Sequence, residues 1–228
     1  MLDYFMSGSG YDKRYSVLIL GLFFMGLGIS LITKSSLGTP PISSIPYVLC
    51  LIYPITFGQL TFVFSLLFMI GEIILLGRNF PKDQYPQIFV GFFLGLFVDL
   101  GMIITTSVQP AYYLYQIVIL LIGCVILALG IYLQVSANVL MNPGEGLVQI
   151  IAVKSKIRFG LIKILFDSFL VTGAIIISLV HFGTLNGVRE GTVISAGLVG
   201  YIIILISAMM NKLNFQTWLS KNHDERRR

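Results

Sequence analysis

The sequence predicts an all-α integral membrane protein built by internal duplication, and three observations carry that expectation. Apolar residues make up 56% of the 228-residue chain and charged residues only 11%, against roughly 45–50% and about 25% in soluble domains. With mean hydropathy at +0.90, too little polar surface remains to coat a soluble globule. Six apolar runs reach the length that crosses a ~30 Å hydrocarbon layer at 1.5 Å per helical residue, whereas a membrane barrel would show short alternating segments. The third observation is that the two halves of the chain align on each other. Cys50 and Cys124 both lie in apolar runs, which excludes a disulfide framework.

Taken in order, the first run spans 15–33 and lacks a small-residue cleavage site after it, so it reads as a retained helix rather than a signal peptide. A short run at 43–53 follows, broken by Pro46 and closed by Pro54. Runs at 57–77, 86–107 and 113–134 are long enough to span, with Tyr112, Tyr113 and Tyr115 forming an aromatic belt. A second short run, 144–153, ends at Lys154-Ser155-Lys156, and two more spanning runs follow at 159–180 and 191–211. Each short run covers about half a bilayer and reads as a half-membrane helix. Residues 212–228 carry Trp218 and a terminal Arg226-Arg227-Arg228 and read either as an interfacial cytoplasmic helix or as a solvated tail.

The chain is expected to form a single transmembrane domain, with repeat 1 over 15–107 and repeat 2 over 113–211. An offset of 102 positions brings Gly21 onto Gly123, Gly28 onto Gly130, Pro41 onto Pro143, Phe57-Gly58 onto Phe159-Gly160 and Gly71 onto Gly173. Past residue 77 an offset of 105 brings Gly91 and Gly95 onto Ala196 and Gly200. Glycine and proline fix backbone geometry and close packing, so their coincidence weighs more than that of Leu with Ile. Each half reads as helix, half-helix, helix, helix. With three crossings per half and the N-terminus inside, the inner face collects every Lys and Arg except Lys34 and Arg189, in keeping with the positive-inside rule. An odd number of crossings makes the repeats inverted, as in many secondary transporters. An eight-helix reading, in which both short runs span, moves Arg78 and Lys82 outside and obeys the rule less well.

Asn142-Pro143-Gly144-Glu145 opens the second short helix with an N-cap, a first-position proline and an acid three residues after the cap. That spacing suits a capping box, and equally a half-helix start that offers free N–H groups to a ligand. Thr39-Pro40-Pro41 stands in the equivalent place, with Thr39 as cap. Lys163 and Asp167 are one helical turn apart and share a face; a charge at mid-helix costs ~2.5–3.5 kcal/mol on insertion scales, so pairing is expected. Thr61 and Ser65 occupy the equivalent positions of the first half. Glu72 stands near a helix end and is expected to reach the interface. Asp99 is central, with Lys34 as its expected distant partner. The substrate-binding candidates are thus Thr39, Pro41, Asn142, Pro143, Glu145, Lys163, Asp167 and Asp99, gathered at one polar centre because a buried ion is costly unless partners are shared.

The stretch Asn142-Pro143-Gly144-Glu145-Gly146-Leu147, with Phe159-Gly160, Lys163, Asp167, Gly187, Gly191-Thr192 and Leu37-Gly38-Thr39-Pro40-Pro41, resembles the pattern of the YczE/YitT-like bacterial membrane protein family. Asn142 and Glu145 stand where that family has Gly and Asp. The resemblance implies a multi-pass bacterial membrane protein and supplies no mechanism; the Lys/Arg split is what puts both termini in the cytoplasm and the protein in the cytoplasmic membrane.

The expected activity is passage of a small anionic or zwitterionic solute. The alternative is a non-transporting membrane protein that regulates or assembles a partner. No hydrolase, phosphate-loop or Cys-x-x-Cys pattern is present, so no enzyme activity and no cofactor is expected. His181 and His223 are isolated, which argues against a metal, and no basic face points to nucleic acid. The expected partner is the lipid bilayer. Gly91 and Gly95 form a small-xxx-small pair, which suits close packing within one chain better than a dimer seam.

Overall fold

A computed structural model describes residues 10–212, and the tail expectation for 213–228 falls outside them. Among the described residues every regular element is helical. The order is α1 (Gly10–Lys34), a 3₁₀ turn (Pro41–Ser43) running into α2 (Ser44–Ile52), α3 (Phe57–Leu76), α4 (Gln87–Ile104), α5 (Tyr113–Ala137), α6 (Pro143–Ser155), α7 (Phe159–Phe182) and α8 (Glu190–Lys212). Among the described residues six helices are long and apolar enough to cross a membrane, and the Pro41–Ile52 segment is a shorter apolar helix. The chain is an all-α integral membrane protein. The fourth helix ends at Ile104 rather than at 107, where the Thr105 N–H and hydroxyl both turn back onto the Gly101 carbonyl.

The centre of the bundle is α1 against α5. They run antiparallel and touch through glycines, which let the backbones approach because no Cβ intervenes. A Cβ at Gly130 would lie 2.5 Å from the Met25 nitrogen, and one at Gly28 would lie 2.5 Å from the Leu127 nitrogen. Likewise Gly21 would meet the Gln134 nitrogen at 2.8 Å and Gly123 the Ile32 nitrogen at 2.9 Å. Adding 102 to the α1 number and subtracting it from the α5 number turns each contact of a pair into the other. The same exchange converts the contact of Gly71 with Leu147 (3.2 Å) into that of Gly173 with Ile45 (3.0 Å). Contacts that interchange in this way are the signature of a two-fold axis, and antiparallel partners place that axis across the helices.

The half-helices follow the same rule. α6 runs alongside the second half of α3, and α2 alongside the second half of α7. Their starts meet: a Cβ at Gly144 would collide with the Ile42 side chain. We call the face at which α1 begins the first face and the opposite one the second face. At the second face the segment after α1 is knit to the entry of α8, with Thr39 N–H donating to the Gly187 carbonyl (3.0 Å), Gly191 N–H to Leu37 (2.8 Å) and Arg189 to Ser36 (3.0 Å). Gly38, at φ 119°, lies so close to Thr192 and Arg189 that a side chain has no room there.

The halves differ in one seam. α3 packs tightly on α4: the backbones of Gly58 and Gly95 touch, and Gly91 seats the Ser65 side chain. The pair Gly91 and Gly95 is therefore used inside the chain. By contrast α7 and α8 stand apart. A Cβ at Gly160, Gly197 or Gly200 would find no neighbour within 4 Å.

Candidate functional site

The parted helices open a cavity of about 1180 Å³ lined by both halves. Its walls are again pairs related by the offset of 102: Met25 with Leu127, Ile29 with Ile131, Ser43 with Glu145, Thr61 with Lys163 and Ser65 with Asp167. The cavity therefore sits on the pseudo-two-fold. Val153, Lys156, Ile157 and Phe159, where α6 passes into α7, mark its mouth at the first face.

Two kinds of wall meet here. On the α3 side Thr61 donates to the Phe57 carbonyl (2.8 Å) and Ser65 to Thr61 (2.9 Å), so both hydroxyls bond back to their own helix. On the α7 side Lys163 Nζ donates to Asp167 Oδ1 at 2.7 Å, the i,i+4 pair that the spacing predicts. Glu145 joins them at the start of α6, and Gln149, one turn further on, shares its face of the helix. Behind the mouth, where Lys156 stands, one ammonium, that of Lys163, lies among two carboxylates in a cavity whose other walls are mainly Met, Leu, Ile, Val and Phe.

The start of α6 departs from the capping-box expectation. Asn142 Oδ1 accepts from the Gly144 N–H (3.3 Å), and the Glu145 N–H donates to the Asn142 carbonyl. The Glu145 side chain is not used to close the box: it lies in the field of Lys163 and Asp167 and lines the cavity. Pro41 and Asn142 line the cavity, while Pro143 is buried behind them as the first residue of α6.

Thr39, Asp99 and Glu72 require correction. Thr39 does not cap the first short helix, whose cap position is Pro40 without a side-chain hydrogen bond. Its hydroxyl donates instead to the Gly187 carbonyl (3.1 Å), outside the cavity. Asp99 is not at the polar centre and does not pair with Lys34. Its Oδ2 accepts from the Thr56 hydroxyl (2.6 Å) and its Oδ1 from the Gly58 N–H (2.7 Å). An acid at a helix N-terminus satisfies donors that the helix cannot and meets the positive end of the dipole. Thr56 also forms a capping box with Gln59, so α3 begins on a network latched to α4. The interface reading of Glu72 fails as well: it is only 2% exposed and packs over Gly146 of α6. No periodicity within α3 reveals this, because the half-helix that covers Glu72 comes from the other repeat. Gln149 and Ser168 also line the cavity, and the i,i+4 spacing from Glu145 is the sequence signal that points to Gln149.

The sequence pattern of a family of unknown function (DUF6198) matches residues 12–208. The chain belongs to that family. No curated protein and no solved structure matches the chain. Membership of DUF6198 agrees with the resemblance to an uncharacterised membrane family and carries no activity with it.

Proposed function

We propose that this DUF6198 protein is a carrier for a small zwitterionic solute. The observation that carries the reading is the cavity on the two-fold, walled by Lys163, Asp167 and Glu145, with its mouth at the first face. Past Lys156 at the mouth, an anion would face two carboxylates against the single ammonium of Lys163. A zwitterion meets a partner at each end, its carboxylate at Lys163 and its ammonium between Glu145 and Asp167. The half-helix starts add oriented backbone to the same volume. The apolar walls suit the uncharged part of the solute, and the ion pair keeps Lys163 and Asp167 from standing unpaired in its absence.

Inverted repeats supply a route for alternating access, since one half can take the arrangement now held by the other. The Lys/Arg bias assigns the first face to the cytoplasm. On that assignment both termini are cytoplasmic, the protein lies in the bacterial cytoplasmic membrane, and the described arrangement faces inward. No step of this reading needs a catalytic residue. The likeness of Asn142–Leu147 to the YczE/YitT-like signature adds a candidate name and no solute.

The test is a thermal-shift screen of the purified protein against zwitterionic, anionic and cationic solutes, followed by counterflow uptake of any hit into liposomes. Stabilisation by a zwitterion and its uptake are expected, with loss of both in Lys163→Met/Asp167→Leu. A solute that binds equally well to the folded double variant would overturn the assignment.

A further inference from the structure

We propose that Glu72 is a proton-binding site that couples the carrier to the proton gradient by holding α6 against α3. It is among the largest fully enclosed side chains of the protein, and its Oε1 has no hydrogen-bond partner. A carboxylate enclosed without donors is costly; binding a proton removes the charge. The seat is built for the carboxyl group: Gly146 faces it, and any side chain there would occupy the space of Oε1. The Gly146 N–H is already used, donating to the Asn142 carbonyl (2.9 Å), so the backbone offers no compensating donor.

The elements packed on α3 bring few charges to Glu72. Asp99 on α4 is held at the other end of α3 by Thr56 and Gly58, and Gln87 on α4 gives its amide to Gln84. On α6, Lys154 donates to the Leu75 carbonyl and Glu145 lines the cavity. Tyr47 and Cys50 on α2 and Arg78 after α3 form no ion pair or hydrogen bond with it. A metal cation would need several oxygen ligands, and among the described residues no cluster of His, Cys, Asp and Glu could hold one. A proton needs only the carboxyl oxygen.

The placement links protonation to the solute site. Gly146 rests on Glu72 while its neighbour Glu145 lines the cavity. With Glu72 neutral, α6 docks on α3. Release of the proton leaves a carboxylate that draws water between the two helices and loosens α6. The equivalent position in the second half, Ala174, packs in an apolar cluster with Val48 of α2, so the device belongs to one half alone.

The coupling rests on the transport reading, but its test does not. Infrared spectra of the full chain in nanodiscs, taken across a pH series, are compared for the wild type and Glu72→Gln. The wild type is expected to show a protonated-carboxyl band that the variant lacks at every pH. Hydrogen exchange over residues 143–155, corrected for its intrinsic pH dependence, should rise as that band disappears and stay constant in the variant. Gly146→Ala, which presses on the carboxyl group, should shift the band without removing it, and serves if Glu72→Gln fails to fold. Identical carboxyl bands in wild type and Glu72→Gln, an unshifted band in Gly146→Ala, or unchanged pH dependence of exchange would each overturn the proposal. No solute enters these measurements, so a failed solute screen would remove the transport reading and leave the proton site standing.

Discussion

Between α3 and α4 the backbones of Gly58 and Gly95 touch, and Asp99 ties the start of α3 to its neighbour. Between α7 and α8 the matching Gly160 and Gly200 face open space, and the positions matching Thr56 and Asp99 are Arg158 and Ile204. Both seams have glycine where close approach needs it, and only one is closed. Under the alternating access proposed above, the closed seam is the arrangement that the open one would take when its helices meet. The acid latch on one side and its absence on the other make the seams unequal in strength. The α3–α4 seam is held by charge-assisted hydrogen bonds as well as packing, and the α7–α8 seam has no counterpart of that latch.

The largest break in this comparison comes from filling the glycines. Gly95→Leu drives a side chain into the backbone of Gly58 and should cost about 3 kcal/mol, read as a large fall in Tm. Gly200→Leu should leave Tm nearly unchanged, because its space is empty, yet block closure and abolish counterflow. Equal destabilisation by the two substitutions would show that the seams do not differ as described.

Removing the latch is the next effect in size. Asp99→Ala strands the Thr56 hydroxyl and the Gly58 N–H and should cost about 2 kcal/mol. The closed seam should then leak, so that a cysteine introduced at Thr61 reacts with a thiol reagent supplied only from the second face. The same cysteine in the otherwise unchanged protein should stay protected from that side.

A smaller change concerns the charged wall that distinguishes α7 from α3. Lys163→Met leaves Asp167 unpaired and should cost about 1 kcal/mol, since both side chains are partly solvated in the cavity. Lys163→Met/Asp167→Leu should recover that stability while losing solute binding. A pair whose removal costs neither stability nor binding belongs to neither role.

The mildest probe carries no energetic change at all. Single cysteines in the Arg78–Tyr85 connection should be labelled from the same face as the start of α1 in inside-out vesicles and stay unlabelled in intact cells. Labelling in intact cells would favour eight crossings and remove the inward assignment of the open seam.

Much of the architecture is legible in the sequence because it depends on local quantities. Hydrophobic length separates six crossings from two half-helices, and α2 and α6 begin where prolines remove backbone donors. The i,i+4 spacing of Lys163 and Asp167 determines their pairing without reference to any other helix. Even the cavity-lining pairs follow from the offset of 102, once the halves are known to face one another. Glu145 is the intermediate case: its sequence context suits a capping box, and its side chain lines the cavity instead.

What tertiary structure alone decides is which helix covers which. Glu72 is enclosed because α6, some seventy residues later in the chain, runs along α3, and no pattern within α3 reports that neighbour. Asp99 meets the start of α3 instead of Lys34 because the glycine contact brings α4 close enough for its carboxylate to reach two free donors. The open and closed seams share the glycine pairs Gly58/Gly160 and Gly95/Gly200, so those glycines by themselves do not distinguish them. Their difference is a matter of which arrangement each pair of helices occupies, and that is set by packing across the whole bundle rather than by either helix.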